Sequence, residues 1–188
     1  MSLDTSHVRS LLSPHGEVAS QSSDQWTGPF PLPTLLVDFY RDVGPLDVSI
    51  EGYGNPTFLP SLRRLWDYQE GYRWNSGTGE PSSDWDDDWI VVADEGADPF
   101  IFSRARGCIL HAVHGNGVWE PEELFPNILT MTACMAELGN VRAEAGRDFL
   151  DDDCIVRPQH RKLAVARLSP ILGDKSLAEI AVASAGWG

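Results

Sequence analysis

The fold is decided by the stretch Asp88-Trp89-Ile90-Val91-Val92-Ala93-Asp94-Glu95-Gly96-Ala97-Asp98-Pro99-Phe100-Ile101-Phe102. It contains two apolar runs, 89–93 and 99–102, on either side of an acidic turn. Runs of this length that are rich in β-branched and aromatic residues predict strands, and the short turn predicts a hairpin. A third apolar run, 108–113, follows after a turn at 104–107. This even spacing predicts an antiparallel meander.

Further elements are predicted on both sides of this meander. Residues 47–50 alternate polar and apolar side chains, which predicts a strand. Apolar residues at helical spacing predict helices, which lie at 4–12, at 33–43, from Ser61 onward and at 126–138. Gly139 is expected just past the end of the last of these helices.

The order of the elements divides the chain into three parts. Residues 1–30 are predicted to form a short helix and a flexible connector, and residues 31–140 the main domain. Residues 141–188 are predicted to be a mainly helical extension packed on the same domain. Because the strands follow one another and do not alternate with helices, the sequence predicts an α+β fold with a central antiparallel β-sheet flanked by helices.

Composition restricts the classes of ligand. The chain has 188 residues, with 28 acidic against 14 basic ones and a net charge of −14. Nucleic acids and anionic membranes are held mainly by Lys and Arg, so we expect neither as a direct ligand. The three cysteines are odd in number and form no CxxC pair, which is typical of free thiols in a reducing compartment. With no signal peptide or membrane-spanning run in view, the sequence predicts a cytoplasmic protein.

Acidic residues concentrate between positions 80 and 98. This segment carries eight carboxylates, and no Lys or Arg lies between Arg73 and Arg104. Such a concentration repels itself unless it is solvated, holds a cation or faces a basic partner. A solvated rim could keep a strand edge from pairing with other chains. An acidic surface with tryptophans beside it could instead bind a basic protein.

Metal-binding and catalytic patterns are weak. Carboxylates counted from Asp84 follow the spacing of an EF-hand, but Trp89 stands where the loop requires Gly, and the apolar strand would have to leave the core. Cys108 and His111 are three apart on a predicted strand, so they face opposite sides and cannot easily share an ion. The sequence contains no P-loop, GxGxxG, HExxH or nucleophile elbow. We therefore expect no cofactor, no metal and no catalytic residue.

Four segments carry a family resemblance. They are the predicted helix at 32–40 with Gly44 after it, the hairpin at 88–99, the segment His114-Gly115-Asn116-Gly117-Val118-Trp119 and the helix before Leu138. In this order they resemble the SUKH superfamily over residues 32–139. The superfamily's hairpin turn has two adjacent glycines, where this sequence has Gly96-Ala97. The segment before Trp89 and the C-terminal extension lie outside the resemblance.

The resemblance implies a small α+β domain with no catalytic centre. Bacterial members of the superfamily look mostly like immunity proteins that bind and neutralise toxin domains, many of them nucleases, and a fungal branch is a regulatory scaffold in cell-wall signalling. A nuclease needs a basic groove, which an acidic surface could plug. The expected partner-binding residues are Trp74, Glu80, Asp84, Trp85, Asp86, Asp87, Asp88, Asp94, Glu95 and Asp98.

Three functional hypotheses follow. The first is an immunity protein that binds a basic toxin domain through this acidic surface. The second is an intracellular regulatory scaffold of the same fold without a toxin partner. An enzyme or metal protein is the third. No oligomeric state is predicted.

Overall fold

Six strands form one antiparallel sheet, in which strands adjacent in sequence are also adjacent in space. In this computed structural model, which describes residues 3–187, they are β1 Val48–Ile50, β2 Thr57–Leu59, β3 Trp89–Glu95, β4 Asp98–Ser103, β5 Ile109–His111 and β6 Glu122–Phe125. The α-helices are α1 Thr5–Leu12, α2 Thr34–Asp42, α3 Ile128–Ala145, α4 Pro158–Leu172 and α5 Lys175–Val182. The predicted meander and the α+β class are confirmed.

The β3–β4 hairpin has the tight turn that its sequence predicts. Glu95 pairs with Asp98, so only Gly96 and Ala97 lie between the strands. Their φ angles are 62° and 80°, and positive φ at both positions matches the right-handed twist of the flanking strands. Gly96 adopts this conformation without cost, whereas Ala97 does not. Ala97 thus occupies a position where a glycine would fit without strain.

Side chains of β3 alternate between two hydrophobic cores, one on each face of the sheet. Ile90 and Val92 belong to the larger core, which lies between the sheet and the helices. Val91 points to the opposite face, into a smaller core with Tyr72, Trp85 and the chain around Trp119. The sheet is therefore buried on both faces, and the segment before β3 covers the face that has no helix.

Gln69 attaches this covering segment to the sheet. β2 pairs with β3 only near Asp94 and Glu95, so the earlier part of β3 has no neighbouring strand on that side. There Gln69 Nε2 donates to the Val91 carbonyl at 2.9 Å, and the Val91 N–H donates to Gln69 Oε1 at 2.8 Å. Nε2 also donates to the Leu65 carbonyl, and the Gln69 side chain is 0% exposed. One side chain thus replaces a strand partner.

The predicted helix from Ser61 is wrong. Its place is taken by successive turns and a single 3₁₀ turn at Asp67–Gln69. Asp47 Oδ1 accepts the Ser61 N–H at 2.9 Å, and Gln21 Oε1 accepts the Leu62 N–H at 2.7 Å. The apolar residues that suggested a helix do enter the core. However, the backbone N–H groups at its expected start donate to side chains from elsewhere in the chain.

Helix α3 is longer than predicted and passes through Gly139. A Cβ at Gly139 would lie 2.4 Å from Ile50 Cγ2 and 2.6 Å from His15 Cε1. The glycine therefore serves close packing in mid-helix and does not end the helix. Phe125, directly before the predicted helix, ends β6 and is fully buried. Strands β2 and β6 were not predicted, because both are short and lie among polar or turn residues.

The two ends of the chain pack on the same core. Residues 21–33, for which the sequence predicts a flexible exposed connector, are held in place: Gln21 is buried and Trp26 donates to the Phe30 carbonyl at 2.7 Å. After residue 141 the chain is mainly helical, and Leu168 of α4 and Trp187 belong to the larger core.

The Gln69→Leu variant should lose about 3 kcal/mol of unfolding free energy, because the buried Val91 N–H and carbonyl lose their partners. Gln25→Leu is the matched control, since Gln25 is exposed. Urea denaturation followed by tryptophan fluorescence measures both variants. A loss below about 1 kcal/mol for Gln69→Leu would contradict a structural role for this amide.

Ala97→Gly should gain roughly 0.5–1 kcal/mol of unfolding free energy, because glycine relieves the positive φ of the hairpin turn. Ala105→Gly, in a turn residue without positive φ, should instead be neutral or destabilising. Thermal or urea unfolding of the two variants tests the assignment. A loss of stability in Ala97→Gly would show that the alanine conformation carries no strain.

Candidate functional site

The acidic segment before β3 is a packed layer over the sheet. Trp85, at its centre, is only 8% exposed and lies 5.9 Å from the Tyr72 ring, edge-on to Trp89 at 5.3 Å and to Trp119 at 5.8 Å. A partner on this face would meet the surrounding carboxylates and not the Trp85 ring. Trp89 is half-buried at the border of the same cluster.

Four of the predicted carboxylates are partly buried and accept hydrogen bonds from other segments of the protein. Asp88 accepts from Ser103 Oγ at 2.6 Å and from the Ala105 N–H at 2.7 Å, which fixes the start of β3 on the turn after β4. Asp98 accepts from the His114 N–H at 2.7 Å. Asp84 accepts from the backbone N–H of Trp119. Asp94 accepts from the hydroxyls of Tyr68 and Tyr72. These carboxylates are structural parts of the layer.

Three other predicted carboxylates, Glu80, Asp86 and Asp87, are exposed. The Asp86 side chain accepts the Asp88 N–H at 2.8 Å within a local turn. Asp87 is 98% exposed, yet it accepts from Arg73 at 2.7 Å. They form the outer surface of the segment.

The two arginines that flank the acidic segment in sequence fold back onto one end of it. Arg73 donates to the carbonyls of Asp87 and Trp89 at 2.7 and 3.1 Å, and Arg104 donates to the Asp87 carbonyl at 3.2 Å. The Arg104 guanidinium also stacks 4.0 Å from the Phe30 ring. Positive charge therefore gathers around Asp87.

Trp74 lies at this arginine-bearing end. Its ring is 5.1 Å from Trp66, which belongs to an aromatic cluster with Trp26 and Phe30. It is partly exposed and packs away from the Tyr72–Trp119 side of the segment. The two tryptophans predicted as anchors thus occupy different clusters.

The other end of the layer is an open groove of about 560 Å³. Its charged lining consists of Asp67, Glu70 and Asp94, with His114 as the only basic side chain. Its remaining lining residues are Tyr68, Gly71, Tyr72, Ser76, Ala97 and Trp119. Carboxylates beside aromatic faces suit a cationic side chain, which gains both ion pairing and cation–π attraction. We call this the acidic groove.

Of the residues that line this groove, sequence reasoning predicted only Asp94 as a site residue. Asp67, Tyr68 and Glu70 were assigned to a predicted helix, away from the carboxylates of the 80–98 segment. The Gln69 attachment brings them next to Asp94, with Tyr68 donating to its Oδ1. No spacing in the sequence shows this, since the contact depends on a buried side-chain amide and on the absence of a helix.

Glu95 lies apart from the groove. It lines a small crevice with Ile50, Met135 and Trp187 on the helical side of the sheet. Burial, and then the charges of Asp98 and Asp94, raise the pKa of the Glu95 carboxyl to about 7. This predicted partner-binding residue therefore belongs to the seam between the sheet and the C-terminal segment.

Within residues 3–187, no three His, Cys, Asp or Glu side chains are grouped as a metal ion would require. Cys108 faces the smaller core, while the His111 ring lies 4.7 Å from Phe100 of the larger core. Over the same residues, none of the helices combines the length and apolarity needed to cross a membrane.

Comparison of the chain with protein-family models, curated proteins and solved structures gives no match. The SUKH resemblance therefore depends on the residues of this sequence, and the function must be argued from the geometry of the acidic groove and its surroundings.

Glu95→Gln should change how stability depends on pH. Because the pKa of Glu95 is about 7 in the folded protein and 4.5 ordinarily, the folded state binds this proton more tightly. Its stabilising contribution is full below pH 4.5 and is lost as the pH rises through 7. Relative to wild type, the variant should therefore gain on the order of 1 kcal/mol between these two pH values, after allowance for solvent screening.

Urea denaturation of both proteins at several pH values across this window measures the difference. Glu17→Gln, which removes one exposed carboxylate, is the control for the change in net charge. A Glu95→Gln difference that stays constant across the window would contradict the raised pKa.

Proposed function

We propose that this chain is a non-catalytic protein-binding domain, and that it is a cytoplasmic immunity protein of the SUKH type which neutralises a bacterial toxin by binding a basic toxin domain. The acidic groove is the observation that carries the proposal. It combines uncompensated carboxylates with aromatic faces in a concave surface. Interfaces of high affinity use aromatic anchors within a charged rim in this way.

Rigidity supports a binding role for this surface. Tyr68 and Tyr72 both donate to Asp94, and Gln69 between them is fixed to β3. Side chains held in this way lose little conformational entropy when a partner binds. The net charge of −14 would also attract a basic domain over several ångströms and speed its association.

The partner would meet two zones of the surface. Lys or Arg side chains would enter the acidic groove between Asp67, Glu70 and the partly exposed Tyr68 ring. The exposed carboxylates Glu80 and Asp86 would lie at the rim, where they steer the approach more than they add affinity. Asp88 and Asp94 would act indirectly, because their oxygens already accept hydrogen bonds from the protein.

A regulatory scaffold of the same fold is the alternative function. The aromatic and arginine cluster around Trp66 and Trp74 favours a second contact region, since Trp74 is partly exposed beside Arg73. A scaffold would use such a region for a partner other than a toxin. An immunity gene is expected directly beside its toxin gene. Growth of cells that express the protein encoded beside this chain therefore separates the two functions, because only an immunity protein restores growth.

Asp67→Lys/Glu70→Lys should weaken binding to the protein domain encoded beside this chain by about tenfold or more. Both side chains are exposed, so the fold should persist. Asp152→Lys/Asp153→Lys makes the same change in net charge at exposed positions outside the groove and should leave most of the affinity. Titration calorimetry at two salt concentrations measures both variants. An equal loss of affinity in both double variants would show that only the net charge matters, and it would overturn the assignment of the groove as the binding site.

A further inference from the structure

Helices α4 and α5 leave a second groove between them, with a volume of about 760 Å³. On α4 it is lined by Pro158, Arg161, Lys162, Val165, Ala166 and Ser169. These positions repeat at intervals of three and four residues, so they form one continuous stripe along the helix. The stripe is about 16 Å long at the rise of an α-helix. It is distinct from the side of α4 that buries Ala164 and Leu168 in the core.

Helix α5 presents a matching stripe. Lys175, Glu179, Val182 and Ala183 line the same groove, again three or four residues apart. The space between two such stripes is one into which a third helix can pack, with a ridge of its side chains in the groove between α4 and α5. The shape of the site therefore fits a helical segment over about three turns.

The rim of this groove is basic, in contrast to the rest of the chain. The protein has only two lysines, Lys162 and Lys175, and both line the groove together with Arg161. Lys175 is paired with Glu179 of the same groove at 3.1 Å, so the free positive charge comes from Arg161 and Lys162. The other cations of these helices are paired, Arg157 with Asp148 and Arg167 with Glu144. By contrast, Arg161 and Lys162 have no carboxylate within ion-pair distance among residues 3–187. A positive rim with unpaired members, in a chain of net charge −14, selects an anionic ligand.

We infer that this α4–α5 groove binds an acidic amphipathic helix of a partner protein. Val165, Val182 and Trp187 would form the floor for its apolar stripe, and Arg161 and Lys162 would pair with its Glu or Asp side chains. An anionic membrane fits less well, because a flat bilayer surface cannot enter a groove between two helices. The site is separate from the acidic groove and takes a partner segment of opposite charge.

The probe is a fluorescein-labelled peptide of 16 residues made of Leu, Ala and Glu, with Leu at positions three and four apart and Glu on the flanks. A companion peptide has the same composition in a scrambled order without the Leu stripe, since a basic companion would bind the acidic groove. Fluorescence anisotropy with the full chain should show saturable binding of the ordered acidic peptide, at least about tenfold tighter than that of the scrambled one. Equal affinities would overturn the inference.

Arg161→Glu/Lys162→Glu should weaken binding of the acidic peptide about tenfold or more, since it reverses the two unpaired charges. Arg63→Glu/Arg147→Glu makes the same charge change at exposed positions and should bind the peptide almost as wild type does. Ala166→Trp, which fills the groove from an exposed position, should also weaken binding without loss of the fold. Circular dichroism checks folding of each variant. A peptide that binds all of these variants equally would place its site elsewhere.

Two further measurements distinguish other occupants. Vesicles of phosphatidylglycerol should not compete with the acidic peptide for the wild-type chain. Direct cosedimentation of the chain with these vesicles that is lost in Arg161→Glu/Lys162→Glu would assign the groove to lipid instead. Sedimentation of the chain alone should show no association that depends on these two residues. A dimer that the same variant dissociates would assign the groove to a second copy.

Discussion

The two layers on the sheet depend on one buried amide. β3 has a strand partner along only part of one edge, and the polar groups of Val91 would otherwise be buried without partners. The Gln69 side chain satisfies both of them and the Leu65 carbonyl as well. Since Gln69 is fully buried, water cannot reach these backbone groups, and the amide is the hydrogen-bond partner that they would otherwise lack. The same contact holds the 3₁₀ turn, and with it Tyr68 and the lining of the acidic groove, against the sheet.

The concentration of carboxylates follows from this architecture as much as from any function. A segment that covers a sheet without forming a helix must fix its backbone by side-chain acceptors. Asp88 fixes the turn after β4, and Asp94 holds two tyrosine hydroxyls. The part of the acidity that is left for a partner is therefore smaller than the sequence suggests. It comprises Asp67 and Glu70 at the groove and the exposed carboxylates near Asp86.

Elements whose structure is set by local sequence pattern could be predicted, whereas elements set by contacts with distant side chains could not. The hairpin at 88–102 was predictable because strand propensity, spacing and turn residues agree there. The helix from Ser61 failed because Asp47 and Gln21, from other parts of the chain, take its first N–H groups. Gly139 was interpreted as a helix end because its close contact with Ile50 has no local signature. Of the carboxylates in the acidic groove, composition found Asp94 but not Asp67 and Glu70, because these two lie outside the 80–98 segment.

Charge on this molecule is segregated. The arginines beside the acidic segment fold back around Asp87, and the only lysines lie in the α4–α5 groove. A chain that needed acidity only for solubility would gain nothing from this separation, because mixed charges repel less and solvate equally well. Keeping cations out of the acidic groove preserves its field for a basic side chain. Keeping unpaired cations at Arg161 and Lys162 costs little in water, but it gives an acidic helix two charges to pair with.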